Sequence, residues 1–433
     1  MSRNMPTVHL NPNLEGLGIS ATVAINDRSN RMLAEGKDVI KLGLGESPFP
    51  VPTSVVEALK SSAHEKSYLE VKGLPALREA VADHHVRTFG ITRDPADVII
   101  GPGSKELMFV LQLAYHGDLI IPAPSWVSYA PQAKILGRDI HWISTRYEND
   151  WLLQADELEQ ICFDDPDRAR LMIINYPSNP TGRTYTSEQL KDLADVARRH
   201  RVVVLSDEIY GKLHHDGMHR SIVEHYPEGT IFSGGLSKWC GAGGWRLGLF
   251  VFPENLRWLR DAMLTVGSET YTSTSSPIQH AAVAAFRYDD EIEEYLQDER
   301  RILKALGATI TEMLQAAGVR VKCPQGAFYI FPDFSAFADR FALWGISSSA
   351  KMCEKLLEDT GVAILPGSDF GRPDSEFTAR LAYVDFDGSK ALAGARQLPA
   401  DQLPGQEFLM RYCGRIIDAA QRITKWLESL PRQ

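Results

Sequence analysis

The sequence predicts an α/β fold, in which a large domain built on a mostly parallel sheet between helices is joined to a smaller α+β domain. Short apolar segments alternate with amphipathic helical stretches as far as residue 252, which is typical of a parallel sheet. From about residue 300 the pattern changes to long charged helices and isolated strands. The chain has 433 residues, 44% of them hydrophobic, and is long for a single core, so two domains are expected.

The strands of the large domain are predicted from apolar runs at residues 97–100, 117–121, 171–175, 201–206, 230–233 and 247–252. One of the helices between them places Leu190, Leu193, Ala194 and Ala197 at helical spacing before a basic end at 198–200. Strand therefore alternates with helix along the chain, as a parallel sheet requires.

The smaller domain is predicted from strand-like segments at residues 324–334 and 380–386 and from a helix over 409–427. That helix carries one apolar stripe, which should pack onto the domain; its members are Leu409, Cys413, Ile416, Ala420, Ile423 and Leu427. The segment 388–406 is rich in Gly, Ala and Pro, and is predicted to be an inserted loop.

Composition argues against several classes of function. The 56 acidic and 46 basic residues give a net charge of −10, which disfavours binding to nucleic acid or to an anionic membrane. The five cysteines are scattered and lack CxxC spacing, so neither disulfides nor a metal site is expected and a reducing cytoplasm fits. The N-terminal segment lacks a signal-like apolar core, and no apolar run is long enough to span a bilayer. A small-molecule ligand is the better expectation.

The strongest chemical motif is Ser237-Lys238, followed by a glycine-rich stretch and by Arg246. A lysine after a strand, where glycines let the backbone approach a ligand, suits an amine held in a cofactor pocket. The arginine eight residues later could hold a phosphate with its planar fork of donors. Taken alone, Lys238 would be read as an ordinary solvated lysine.

Two polar motifs follow other predicted strands. Asp207 stands at the carboxyl end of the strand 201–206, where open α/β sheets bind ligands, and a buried carboxylate there could keep a ring nitrogen protonated. The alternative is that Asp207 caps the next helix. The second motif, at residues 175–182, contains Asn179; by itself it would be read as a tight turn.

A glycine loop at residues 101–105 opens the helix predicted over 106–114. Gly103, Ser104 and Lys105 would present free N–H groups and the positive end of the helix dipole to a phosphate, although single glycine loops are common. Trp126 follows another strand, where it could stack on a flat heterocycle or simply fill core.

Taken together, these motifs resemble the class I and II pyridoxal-phosphate-dependent aminotransferases of the aspartate aminotransferase superfamily, fold type I. The resemblance covers nearly the whole chain and implies a seven-stranded sheet, with a large domain over 51–300 and a small domain formed by 1–50 and 301–433. It also implies transfer of an amino group from an L-amino acid to a 2-oxo acid. The further matching segments are 40–46, Tyr68, 73–80, 326–329, 366–367 and Arg380-Leu381.

The resemblance assigns a role to each motif. Lys238 would carry pyridoxal 5′-phosphate as a Schiff base and shuttle the substrate proton, with Asp207 on the ring nitrogen and Trp126 stacked on the ring. Asn179 and Tyr210 would bind the ring hydroxyl, and Tyr210 counts with Lys238 and Asp207 as catalytic. Arg380, helped by the Gly45 backbone and Asn179, would clamp the substrate α-carboxylate. The phosphate would be held by Gly103, Ser104, Lys105, Ser237, Arg246 and Tyr68.

In this family the tyrosine at the position of Tyr68 comes from the neighbouring subunit, so a homodimer with shared active sites is implied. The chain departs from the family pattern at Gly235, where many relatives have a phosphate-binding serine that Ser233 or Ser237 would replace. It also departs in the WCGAGG stretch at 239–244 and in the segment 388–406.

Two alternatives to transamination arise at this stage. A carbon–sulfur β-lyase would use the same fold and cofactor, because the fold does not determine which bond is broken. A ligand-sensing regulator is disfavoured, because such proteins resemble a fusion with a DNA-binding domain, whereas only about fifty residues precede the large domain here. The sequence leaves the amino donor and acceptor open.

Overall fold

A computed structural model describes residues 9–163 and 165–431. Residues 1–8, which belong to the N-terminal segment considered above as a possible signal sequence, lie outside the described residues. The helices are α1 Ala21–Ala34, α2 Thr53–Ser62, α3 Pro75–Phe89, α4 Ser104–Ala114, α5 Tyr129–Ile135, α6 Ala155–Phe163, α7 Ser187–Arg199, α8 Arg257–Glu269, α9 Ser276–Arg287, α10 Asp290–Ala316, α11 Ala338–Leu343, α12 Ser349–Thr360, α13 Gly388–Ala395 and α14 Gln406–Ser429. The strands are β1 Ile40–Lys41, β2 Val98–Gly101, β3 Asp118–Ala123, β4 Ile140–Ser144, β5 Arg170–Asn175, β6 Val203–Asp207, β7 Thr230–Gly235, β8 Gly248–Val251, β9 Tyr329–Ile330, β10 Val362–Ala363, β11 Leu365–Pro366 and β12 Ala379–Ala382. Among the described helices, none combines the length and the apolar character needed to span a membrane.

The main sheet has seven strands in the order β2-β8-β7-β6-β5-β3-β4. Only β8 runs antiparallel to its neighbours, β2 and β7, so the predicted α/β fold with a mostly parallel sheet is confirmed. Each of the six predicted strands is present with small shifts at its ends. The seventh, β4, was not predicted, because it is an edge strand with mostly exposed side chains and therefore lacks a continuous apolar run.

Both faces of the sheet are covered by helices, and alternate residues of each strand enter different cores. Ile99, Leu205 and Phe250 pack with α4 and α8 on one face. On the other face Val204 packs with α7, and Val251 packs with the α3 region. Because β2, β3, β5, β6 and β7 are mutually parallel, their carboxyl ends lie along one edge of the sheet.

The remaining strands form two small sheets. One pairs β1 with β10 in parallel, so residues 40–41 meet residues 362–363. The other is an antiparallel sheet in the order β11-β12-β9. Helix α14 packs on α10, and the predicted apolar stripe from Leu409 to Leu427 is buried as expected. The domain boundaries at residues 50 and 300 stay a prediction.

The prediction that segment 388–406 is a loop is wrong for its first half. Residues 388–395 form α13, whose N-terminus is capped by the Asp387 carboxylate, and α13 packs against α10 and α14. Its glycines reflect close packing, since a Cβ on Gly394 would lie 2.6 Å from the Tyr412 ring. The small residues that led to the prediction of an inserted loop therefore allow α13 to pack closely as a buried helix.

Candidate active site

A cavity of about 480 Å³ opens at the carboxyl edge of the main sheet. Loops after β2, β3, β5, β6 and β7 form its floor, while the segment after β1 and the strand β12 close it from the side of the small sheets. The structure brings most of the predicted site residues into the wall of this one cavity: Gly45, Ser104, Lys105, Trp126, Asn179, Asp207, Tyr210, Ser237, Lys238, Arg246 and Arg380.

Gly103 and Tyr68 are the two predicted site residues that do not line this cavity. Gly103 lies just behind the wall, at the N-cap of α4, with φ +92°. A Cβ there would lie 2.1 Å from the Arg246 guanidinium, so the glycine lets that side chain approach the helix. Tyr68, between α2 and α3, is 89% exposed. Its role on a neighbouring subunit stays a prediction.

Lys238 follows β7 and donates from Nζ to the carbonyl oxygen of Gly45 at 2.6 Å. Burial lowers the pKa of its amine to about 8, and the Arg380 charge acts in the same direction while Glu46 opposes it. A larger fraction of this amine is therefore neutral at physiological pH than of an ordinary lysine, which favours its action as a nucleophile or base.

Asp207, the last residue of β6, is a buried carboxylate at the floor of the cavity. Burial raises its pKa to about 6, against hydrogen bonds from Tyr129 and Ser233 that lower it. Tyr129 Oη donates to Asp207 Oδ2 at 2.5 Å, and Asn175 holds the Asp207 carbonyl at 2.8 Å. The site holds this carboxylate firmly, so a cation placed against it would be strongly favoured.

Replacing Tyr129 by Phe should raise the pKa of Asp207 above about 6, because the lost hydrogen bond stabilises the ionised carboxylate. Infrared titration of the apoprotein, following the protonated carboxyl band against an Asp207→Asn reference, measures the shift. Tyr115→Phe is the matched control, since Tyr115 donates to the Arg170 carbonyl far from Asp207. An unchanged or lower midpoint in Tyr129→Phe contradicts this assignment.

The opposite end of the cavity is a cationic cradle. Ser104 and Lys105 begin α4, where free N–H groups and the helix dipole favour an anion. Lys105 Nζ lies 5.0 Å from the centroid of the Trp126 ring, and burial followed by the Arg246 charge lowers its pKa. Neither Lys105 nor Arg246 forms an ion pair with a carboxylate in the described part of the chain, so both charges are available to an anionic group.

Arg380, on β12, is fully buried beside the cavity. Its Nη1 donates to Asn179 Oδ1 at 3.0 Å, and Nη2 donates to the Gly43 carbonyl. The guanidinium also lies over the Tyr329 ring, 4.9 Å from its centroid. These contacts fix the plane of the fork, and a fixed, desolvated guanidinium is suited to bidentate binding of a carboxylate.

Sequence reasoning missed several side chains that complete the site. Tyr129 is the partner of Asp207, and Tyr329 shares a 2.8 Å hydrogen bond with Tyr210. Glu46 lines the cavity near Lys238. Tyr129 lies three residues beyond Trp126, and Tyr329 lies within the matched segment 326–329, so both were close to predicted positions, but nothing in the sequence indicated their partners.

The departure at Gly235 has a steric reason. A Cβ at this position would lie 2.7 Å from the Leu247 carbonyl oxygen, so the end of β7 and the residue before β8 approach too closely for a side chain. Of the two serines expected to compensate, Ser237 lines the cavity, whereas Ser233 is buried and hydrogen-bonds Asp207 at 3.5 Å. Ser237 is therefore the better placed of the two.

The donor set of the cavity fits pyridoxal phosphate. The cationic cradle suits its phosphate, and the tryptophan ring suits its flat ring. The buried carboxylate suits the ring nitrogen, and the amine of lowered pKa suits the aldehyde. Residues able to hold it are Ser104, Lys105 and Arg246 at one end and Asp207 and Lys238 at the other. Within residues 9–163 and 165–431 no cluster of three His, Cys, Asp or Glu side chains is arranged to hold a metal ion.

Comparisons with known proteins agree with this geometry. Residues 37–385 match the family model described as aminotransferase class I and II. An aspartate aminotransferase from Geobacillus stearothermophilus is 36% identical over 84% of this chain and 92% of its own length. An aspartate/prephenate aminotransferase from Cereibacter sphaeroides is 32% identical over 85% and 92%.

Solved structures give the same result. The aspartate aminotransferase of Thermus thermophilus, in a structure with maleate, aligns with a TM-score of 0.80 and 30% identity, covering 90% of this chain and all of that chain. The aromatic aminotransferase of Pyrococcus horikoshii aligns at 0.76 with 28% identity, covering 92% and 98%. With the family model and these relatives in agreement along most of the chain, the protein belongs to the class I and II aminotransferase family and is an aminotransferase.

Proposed function

We propose that this aminotransferase binds pyridoxal 5′-phosphate in the 480 Å³ cavity and uses Lys238 to transfer an amino group from an L-amino acid to a 2-oxo acid. The observation that carries the proposal is that one cavity holds the Lys238 amine, the buried Asp207 carboxylate and the Lys105–Arg246 cradle. When bound, the cofactor supplies an electron sink for the electrons left at the substrate Cα.

The residues of the chain position the cofactor at both ends. The N–H groups at the start of α4, with Lys105 and Arg246, bind the phosphate, and the Trp126 ring covers the flat ring system. Asp207 would hold a proton on the ring nitrogen through a charge-assisted hydrogen bond, and Tyr129 donates to its carboxylate at 2.5 Å. Tyr210 and Asn179 would bind the ring hydroxyl.

Lys238 moves the substrate proton. Its Nζ would act as the base that takes the proton from the substrate Cα and holds it within the cavity for return. A pKa of about 8, lowered by burial, places this amine near the pH at which a base is most effective. Arg380 binds the α-carboxylate and so holds the Cα–H bond in reach of Nζ.

The first donor to test is L-aspartate, because most of the relatives at 30–36% identity are named aspartate aminotransferases. The absence of an acidic partner for Lys105 and Arg246 in the described residues is compatible with an anionic substrate as well as with the phosphate. L-asparagine and prephenate belong in the same panel, since they occur in the names of other relatives.

The same proposal includes a homodimer with shared active sites. It also includes a large domain over 51–300 and a small domain over 1–50 and 301–433. Support for the dimer comes from Tyr68, an aromatic residue that is 89% exposed and belongs to a segment matching the family pattern. A cytoplasmic location is supported by the free thiols of all five cysteines. Analytical ultracentrifugation should give twice the 48.2 kDa mass of the chain, and a monomer mass contradicts the shared site.

The visible spectrum of the purified protein with cofactor tests the function. Adding one amino acid at a time should bleach the cofactor band for the true donor and release one equivalent of its 2-oxo acid per site. L-aspartate is expected to act in this way, with oxaloacetate as product. Release of ammonia or of a thiol fragment, with the band retained, contradicts transamination and supports the lyase.

A further inference from the structure

A second cavity, of about 380 Å³, lies on the face of the main sheet that carries α3 and α10. Val81 and His85 of α3, Phe232 of β7 and Leu249 and Val251 of β8 line it. Its volume falls within the range of about 300–1,000 Å³ that small-molecule sites occupy, and its wall combines apolar side chains with charged and histidine side chains. None of these residues belongs to the active site described above.

The mouth of the second cavity carries positive charge. Lys212, Arg87 and Arg300 line it. Lys212 Nζ contacts only the Thr88 hydroxyl, at 3.3 Å, and the Tyr288 ring, at 4.7 Å, and forms no ion pair in the described part of the chain. Burial lowers the pKa of this amine to about 8, with the Arg300 charge acting in the same direction and the Glu293 charge opposing it.

The two carboxylates of the cavity already have partners. Glu208 accepts hydrogen bonds from the hydroxyls of Ser206 and Ser221 at 2.7 and 2.5 Å, and it also contacts His219 at 2.7 Å. Glu293 is paired with Arg300 at 2.9 Å and accepts from Tyr288. The positive charge left to attract a ligand is therefore that of Lys212 and of Arg87, whose Nη2 donates to the Phe286 and Arg287 carbonyls.

The depth of the cavity holds buried nitrogen atoms that lack partners. His85 Nε2 and His219 Nδ1 have no hydrogen-bond partner in the described residues. Burial lowers the pKa of His85 to about 3, so its ring is neutral at physiological pH. Buried polar atoms are nearly always hydrogen-bonded in folded proteins, and these two rings are suited to face a ligand that is polar at some atoms and apolar over most of its surface.

The glycines of β7 contribute to the space. Gly234 and Gly235 form part of the wall, and a Cβ on Gly234 would lie 3.0 Å from the Phe232 ring. Gly235, where the chain departs from the family pattern, is thus one of two adjacent glycines in the wall of this cavity. Ile209 lines both cavities, and Glu208 and Trp239 of the second cavity adjoin Asp207 and Lys238 in sequence.

We propose that the second cavity binds a small organic anion with one carboxylate and an apolar body, and that Lys212 holds the carboxylate. The apolar body lies against Val81, Phe232 and Val251, and the carboxylate lies at the mouth. A ligand in this position contacts the peptide segments that carry Asp207 and Lys238 from the side opposite the substrate.

The test is calorimetric titration of the cofactor-loaded protein with 3-phenylpropionate, which has one carboxylate and one apolar ring. We expect one binding event per subunit at the second cavity, in addition to any at Arg380, and this event depends on Lys212. Lys212→Gln should weaken it about tenfold or more, because a charge-assisted hydrogen bond is lost, and Thr88→Trp should abolish it by filling the mouth. Lys425→Gln, at an exposed lysine on α14, is the matched control and should bind like the parent.

Unfolding temperatures and cofactor spectra of the variants establish that each is folded and loaded. Because a carboxylate can also bind at Arg380, binding at the second cavity is identified by the difference between the calorimetric titrations of the parent and of Lys212→Gln. Binding that is unchanged in both Lys212→Gln and Thr88→Trp overturns the proposal, as does the absence of binding in the parent. A loss of equal size in Lys425→Gln also overturns it.

Discussion

Replacing Lys238 by Ala should lower the transamination rate constant kcat by about 10⁴-fold or more, because the variant loses both the nucleophilic amine and the proton carrier. In the proposed site the other cations of the cavity would bind the phosphate and the α-carboxylate, so no neighbouring side chain is expected to replace Lys238. Single-turnover measurements with saturating L-aspartate would show the loss directly.

Lys425→Ala is the control for this variant, since it removes an exposed lysine side chain from the surface of α14. Circular dichroism and the unfolding temperature should remain near those of the parent in both variants. Partial recovery with added methylamine would support the role of Lys238 as a base. A Lys238→Ala protein that retains a tenth of the parent rate would exclude Lys238 as the catalytic amine.

Replacing Arg380 by Lys should lower kcat/KM for amino acids by about 10²-fold, because a point charge cannot reproduce the bidentate fork and the Cα–H bond is misplaced. The contacts of Arg380 with Asn179 at 3.0 Å and with Gly43 show that its geometry is fixed before substrate arrives. Steady-state kinetics with the best amino acid donor measures the change.

A substrate that lacks the α-carboxylate gives the control within the same protein. The slow reaction of 2-phenylethylamine should be nearly the same in the parent and in Arg380→Lys, because the fork has nothing to bind. Arg372→Lys serves as the matched structural control, since Arg372 is buried and bonded to Ala123 and Thr145 but lies outside the cavity. Equal losses for the amino acid and the amine would show that Arg380 only supports the fold.

The parts of the site that follow a strand directly were predictable from sequence. Asp207, Lys238 and the loop before α4 each come at the end of an apolar run, and parallel strands place their carboxyl ends along one edge. The topology alone thus gathers residues that are far apart in the chain. The cationic cradle was also predictable, because glycine, serine and lysine at the start of a helix indicate an anion site.

Pairings across the fold were not predictable from the sequence. Tyr129 lies 78 residues from Asp207, and Tyr210 lies 119 residues from Tyr329, so only the three-dimensional packing makes them partners. The edge strand β4 lacks a continuous apolar run, and α13 consists of small residues that a loop would also contain. The second cavity joins α3, β7 and the start of α10, which no local pattern connects.

Borohydride reduction of the cofactor-loaded protein, followed by proteolysis and mass spectrometry, tests the central assignment most directly. Reduction fixes any covalent link between the cofactor and a lysine. The assignment predicts the mass of one reduced cofactor on the peptide that contains Lys238, and no such mass in the Lys238→Ala protein. A reduced cofactor on any other lysine, or on none, would contradict it.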